Sequence, residues 1–491
     1  MPGDILKYLK RRYNVGNYAS VFAGCLALLF FSGCELLGDD PTPGVRDVEV
    51  ISYETHIQSI FDARCTSCHG PDRSRAGLRL DDWSQLIQGS EFGEAIIPFS
   101  GTDSRLVKLV NPASNYAHPD NVGKEKLSSD EFELLKRWID EGAVGPLGSS
   151  PFSSSLNLIY IAHDSEPTVT VVDSDAWLVV RRIHLEDYGF SNRARVHHVA
   201  VEPDGSFWYA SIGSPRQEDV QTIAKFNRFN ELIGKYDTLQ PGLIALHPTQ
   251  DVLYVSRLAT STSERSLLEI RRSDLAAVKV PISFASDHAL AVGPSGDYLF
   301  SASIDVDQMS IVNLANLEVS YFDIKGVKHG FGQFAISPDG TRMWGAGIES
   351  KTVTLFDISN PLAVVQRQSL NVPGRPLALT FLPDASRVYI TVPDGNRVSI
   401  VNTWLDLIES EIKHAAIQEP TGIATSVDGS YIFVTNRNSQ GNFAPRHLFE
   451  GDTLPGTMVV IDTATETVVK AIELASQPGL IGSRVVVPTF R

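Results

Sequence analysis

Cys65, Cys68 and His69 stand in the run Cys-Thr-Ser-Cys-His, and these side chains at this spacing suit one kind of chemistry. Positions i, i+3 and i+4 share a helix face, so two thiols can reach the vinyl groups of a porphyrin while an imidazole sits beneath its iron. Cys-x-x-Cys-His is the attachment signature of a c-type haem. A structural zinc site would want a second cysteine pair, yet the other cysteines are Cys25 and Cys34. A redox-active thiol pair would not need the histidine.

Cys25 lies in an apolar run, Ala19 to Gly33, preceded by Lys7, Lys10, Arg11 and Arg12. A basic stretch followed by an apolar one reads as a secretory signal. Phe31-Ser32-Gly33-Cys34 at its end resembles a bacterial lipoprotein box, which implies lipidation of Cys34 as the new first residue. The competing reading is a transmembrane anchor, for which the run is short. Residues 1–34 are thus read as the signal segment and 35–45 as a tether, with Asp39 to Gly44 of linker composition. With Cys65 and Cys68 committed to haem, no disulfide is expected. The formal net charge is -16, and no basic block lies outside the signal, so nucleic acid is excluded as a partner. The chain is expected in the bacterial cell envelope, periplasmic or at the outer surface, held to a membrane by lipid.

Gly145 to Pro151 is a second linker-like stretch, setting residues 46–144 apart from the rest through a connection at 145–155. The first of these parts reads as a small all-α domain. Ile57, Ile60 and Phe61 put apolar side chains on one face of a helix running into the haem motif. Ser128 and Glu131 form a capping-box pattern that starts a last helix, whose buried stripe is Phe132, Leu134, Leu135, Trp138 and Ile139. Gly142 ends it. An apolar wall of this kind is one means of tuning a haem potential.

Four linked motifs carry a family likeness: Cys65 to Asp72, Gly77 to Asp81, Lys126 to Ser128 and Leu134 to Ala143. Together they resemble the planctomycete-type cytochrome c domain over nearly all of residues 50–144. The resemblance implies one covalent haem c on Cys65 and Cys68, with His69 as the proximal iron ligand. In that family a Met-Pro-Pro element before the last helix supplies the second axial ligand. This chain departs there: its methionines are Met1, Met309, Met343 and Met458, and the matching place holds His118-Pro119. His118 is therefore the candidate distal ligand. The alternatives are a loop histidine with five-coordinate iron, or ligation by His56. A bis-histidine site is expected at lower potential than Met-ligated relatives, and it leaves no position open for oxygen.

From residue 156 to 491 the chain repeats. A turn recurs at Pro203-Asp-Gly, Pro248-Thr-Gln, Pro294-Ser-Gly, Pro338-Asp-Gly, Pro383-Asp-Ala and Val427-Asp-Gly, 44 to 46 residues apart. Four strands per unit at such a period mark a β-propeller. Residues 157–183 supply only three strands, Leu158–Ala162, Val169–Val172 and Leu178–Ile183. Arg484 to Pro488 is read as the missing inner strand, giving seven blades closed by a C-terminal strand and no exposed sheet edge. The units resemble the YVTN family of propeller repeats through Ala335 to Gly340, Val388 to Val392, Val398 to Asn402 and Tyr431 to Asn436. That likeness speaks for fold rather than function.

Aligned on the turns, His197 and His288 fall six residues before them, where an inner strand meets the channel. His198 is adjacent, and His329 lies just before the corresponding place in its own blade. His163, His184, His414 and His447 map to the same face, whereas His247 does not. Clustered imidazoles suit copper, zinc, iron or a haem iron, so His197, His198, His288 and His329 are a candidate site for a further metal or cofactor; water-lining loop residues are the plainer reading. Cytochrome cd1-type nitrite reductases, with eight blades, and nitrous-oxide reductase-type copper propellers resemble this arrangement only loosely. The sequence thus describes an exported monohaem cytochrome that passes single electrons, with a propeller docking a redox or envelope partner. The competing class is an oxidoreductase whose substrate binds at the propeller mouth. No catalytic constellation stands out.

Overall fold

The computed structural model describes residues 50–114, 118, 125–215, 219–258, 265–446 and 453–484. The signal segment with Cys34, the tether 35–45, residues 46–49 of the expected all-α domain and His447 therefore lie outside the described residues. Among those described, no helix is long and apolar enough to cross a membrane.

Helix α1, Gln58–Arg64, continues a π-turn over Tyr53–Ile57 and runs into the one-turn helix α2, Thr66–His69. Two further short helices, α3 (Trp83–Leu86) and α4 (Arg105–Val110), precede the longest, α5 (Ser129–Asp140). The capping box at α5 is formed: the Ser128 hydroxyl accepts the Glu131 N–H, and the Glu131 carboxylate accepts the Ser128 N–H at 2.7 Å. Ile57, Ile60 and Phe61 are buried against Leu135, Trp138 and Ile139 in one apolar core, with Leu134 at its edge. Residues 145–155 pass from the lobe to the propeller, where Phe152 packs against the apolar cluster of blades 1 and 2. Gly145 lies against the Trp83 ring, and the Trp83 and Trp138 indole N–H groups donate to the carbonyls of Ala143 and Val144, each at 3.0 Å.

The remainder is seven four-stranded antiparallel sheets. The inner strands of blades 2 to 7 are Arg195–Val201, Pro241–Leu246, Asp287–Val292, Phe331–Ile336, Leu379–Phe381 and Pro420–Thr425. Each leads into one of the recurring turns. Blade 1 takes its inner strand from the chain's far end, as expected, but from Pro478–Gly482 rather than Arg484 to Pro488. Its other strands are Leu158–His163, Thr168–Asp173 and Leu178–His184. Arg484 makes a single bridge to Val201 of blade 2, and 485–488 lie outside the described residues.

Helical lobe and propeller pack together at blades 1 and 7. Ile97 shares an apolar cluster with Val179, Met458 and Leu474. The Arg105 guanidinium pairs with Glu473 at 3.0 Å, and Asp103 accepts from His184 Nε2 at 2.8 Å and from Arg182 at 3.3 Å. The Arg181 guanidinium stacks 4.4 Å from the Phe99 ring centre.

Candidate functional site

In the helical lobe, chain geometry brings the haem-motif side chains to one place. Cys65 caps α2, and its carbonyl accepts the N–H groups of Cys68 and His69, both at 3.0 Å. Both thiols are free, and burial pushes that of Cys65 up to about 12. His69 turns Nδ1 toward the Leu78 carbonyl at 3.4 Å. A backbone acceptor on one ring nitrogen fixes the tautomer and presents the other as a lone pair.

Facing His69 is His118, ring centres 6.2 Å apart and planes at 54°. Imidazole nitrogens bind metals at about 2.0–2.1 Å, so an ion held between two opposed rings sets their centres about 6 Å apart. The pair fits a hexacoordinate iron. Burial, outweighing the Leu78 hydrogen bond at His69 and reinforced by Arg75 at His118, lowers both pKa values and favours neutral rings. His56 is engaged elsewhere: its Nδ1 accepts the Ser52 N–H at 3.0 Å, and the ring contact of His69 is with His118.

The second candidate cluster forms at the propeller channel. Register shifts interrupt the inner strands between Val196 and His198 and between Asp287 and Ala289, with comparable shifts in blades 3, 5 and 7. Such β-bulges re-aim a side chain, and His197 and His288 are the residues within them. Their ring centres are 5.3 Å apart at 87°. A cavity of about 90 Å³ is lined by these two and by Gly332, Leu377 and Thr421, which hold the matching places in blades 5 to 7, with Gly479 from blade 1. Asp164 and Arg437, an ion pair, also line it, with Gln333 and Leu480.

His198 lines the long bore instead, a cavity of about 590 Å³ whose far end carries the proline turns. Its Nδ1 accepts the Ile244 N–H at 3.2 Å. His329 stacks on Phe331 at 5.1 Å, with Nδ1 3.4 Å from Asp307. Both nitrogens of His163 are bonded, to the Ser476 carbonyl and the Thr170 hydroxyl. Of the four candidate mouth histidines, then, two meet in a ring contact. Sequence reading did not single out Asp164 and Arg437. The six-residue offset that located the histidines also points to Gly332, Leu377 and Thr421, but Arg437 sits in a loop without a repeat signal. Among the described residues, no three of His, Cys, Asp and Glu converge on one point.

The molecule is a seven-bladed β-propeller carrying a helical lobe with a haem-attachment motif. Residues 65–116 match the planctomycete cytochrome C family, which implies haem c binding; His118 falls just beyond the matched segment. No curated protein matches the chain. Among solved structures, a 6-phosphogluconolactonase candidate from Bacteroides fragilis is 13% identical, with a TM-score of 0.52 over 68% of this chain and 99% of that one. A counterpart from Bacteroides uniformis is 13% identical at a TM-score of 0.53, covering 67% and 99%, and a Lactobacillus plantarum protein is 12% identical at 0.53, covering 66% and 98%. At these identities the likeness is one of fold. It agrees with a YVTN-type propeller.

Proposed function

We propose that this protein is an exported, lipid-anchored monohaem cytochrome c that passes single electrons, its propeller docking a redox or envelope partner. The observation that carries the reading is the opposed His69–His118 pair beside two free thiols, of which that of Cys65 packs against the apolar core. Cys65 and Cys68 would hold the haem covalently, with His69 and His118 as axial ligands. When bound, the haem supplies one-electron chemistry, its potential set by axial ligands and by the surrounding wall. Leu78 orients His69 through its carbonyl, while Ile57, Phe61, Leu135 and Trp138 make the interior around the motif apolar. The ion pairs to blades 1 and 7 fix the lobe on the propeller, so one docking surface on the propeller would place a partner at a set position relative to the lobe. Cys34 supplies the membrane attachment.

Optical and electron-spin-resonance spectra of the purified protein test the ligation. A low-spin ferric haem without the weak Met–Fe charge-transfer band is expected, and His118→Ala should bind carbon monoxide. An unchanged spectrum in that variant removes His118 from the ligand pair. Cys34→Ser should release the protein from the membrane fraction; retention with an uncleaved N-terminus would favour a transmembrane anchor.

A further inference from the structure

Seven inner strands line the channel, and the two that carry a histidine six residues before the recurring turn are those of blades 2 and 4. The corresponding places in blades 3 and 5 are glycines, Gly242 and Gly332. At Gly332 a Cβ would stand 2.9 Å from both the Ile348 side chain and the Leu377 carbonyl oxygen, so no other residue fits without displacement. Its own carbonyl accepts the His288 Nδ1–H at 2.7 Å. That bond fixes the tautomer of His288 and leaves Nε2 as a lone pair, the arrangement by which backbone carbonyls orient metal-binding imidazoles. His197 Nε2 is enclosed and has no hydrogen-bond partner.

We infer that His197 and His288 together hold a late first-row transition-metal ion, copper most tightly, at the narrow mouth of the propeller channel. Two imidazoles sharing a tetrahedral ion at about 2.0–2.1 Å have ring centres about 5 Å apart, against 5.3 Å observed. Neutral imidazole suits copper, zinc, iron and nickel, and divalent copper stands highest in the affinity order. His198 is not a third ligand through Nδ1, which already accepts the Ile244 N–H. Two protein ligands leave coordination positions open, as reactive rather than structural metal sites do. Arg437, whose Nε is buried without a partner, lines the same cavity.

The experiment is a calorimetric titration of the haem-loaded protein with Cu²⁺ and, separately, Zn²⁺, with copper spin resonance of the product. One Cu²⁺ per chain is expected, with hyperfine structure from two nitrogens and Zn²⁺ weaker. His197→Ala/His288→Ala should lower Cu²⁺ affinity at least a hundredfold, and His414→Ala should leave it unchanged. The conservative pair His197→Gln/His288→Gln, checked for an unchanged melting temperature, separates ligand loss from misfolding. Equal affinity in the wild type and the glutamine pair would overturn the site, as would the absence of stoichiometric copper, which would make the cavity a water pocket only. The haem spectrum should not change in any of these variants, so failure here leaves the electron-transfer reading standing, and the reverse.

Discussion

His69 and His118 face each other inside the helical lobe, and His197 and His288 face each other across the channel, but the two pairs are assembled by opposite routes. The first is made beside a local motif: α2 presents His69, and His118, ahead of α5 in the chain, stands with its ring centre 6.2 Å away. The second exists only once blades 2 and 4 are locked in a closed ring, which sets the rings 5.3 Å apart. The lobe pair has two thiols next to it and suits a cofactor held for the life of the protein. The channel pair has glycines and an arginine around it and suits an exchangeable occupant. Where a residue lies along the chain thus says little about which partner it meets when the connecting element is a whole propeller.

The largest effect should come from the thiols. Cys65→Ala/Cys68→Ala is expected to abolish covalent haem altogether, and a haem stain surviving denaturing electrophoresis would defeat the reading of the motif. Channel copper binding should survive the same change if the two pairs are independent.

Next in size is the ligand swap His118→Met. Methionine in place of histidine raises the potential of a haem, and axial choice spans a wide range, so an increase on the order of 0.1 V is expected in a redox titration. No change would show that His118 does not ligate the iron.

Gly482→Val attacks the ring rather than the lobe. A Cβ at Gly482 would stand 2.4 Å from the Val199 carbonyl oxygen, jamming blade 1 against blade 2. Overpacking of this kind costs about 1–3 kcal/mol. Denaturant titration should show that loss, with channel copper affinity falling while the haem spectrum is kept. Loss of the haem spectrum with copper binding intact would reverse the proposed assignment of local and global assembly.

The smallest effect concerns the joint between lobe and propeller. The hydrogen bond to Asp103 raises the His184 pKa against the opposing cost of burial, with Asp187 reinforcing and Arg182 opposing the shift. A raised histidine contributes fully below its unfolded value, about 6.5, and the contribution fades as pH rises through the folded value. Burial acts to raise Asp103, but the His184 bond and Arg182 outweigh it and hold the carboxyl below its usual range. Its contribution is present above about 3.9 and fades as pH falls through the folded value. Because His184 is part-exposed, about 1 kcal/mol or less is at stake. Melting temperature should decline modestly from pH 6 to 9, and His184→Gln should flatten that slope; equal slopes would show the pair to be inert.

Much of this was legible because it is local. Cys65 to His69, the Ser128–Glu131 capping box and the proline turns are each fixed by residues a few positions apart. His118 is proposed from a methionine missing at the family's position. The closing strand was misplaced because Arg484 to Pro488 is rich in β-branched valine, whereas Pro478-Gly-Leu-Ile-Gly482 is poor strand material. Inner strands crowd around a narrow channel and select small residues over strand formers, as Gly479 in the cavity wall illustrates. His163 and His184 map to the face of the mouth histidines, and His329 is one of those candidates, because position near a strand end predicts a face but not a neighbour. Their fates were set by Thr170, Asp103 and Phe331, which repeat alignment does not reveal.

The ring is closed by non-covalent pairing of Pro478–Gly482 with Leu158–His163, next to blade 7, and the helical lobe lies on the two blades that meet there. A closed belt is weakest at its clasp. Here the clasp has a cover: Arg105 grips blade 7 through Glu473 while Asp103 grips blade 1 through His184 and Arg182. Pulling the belt open must break these grips as well as the strand pairing. The lobe thus serves as a mechanical fastener across the seam where the ring closes.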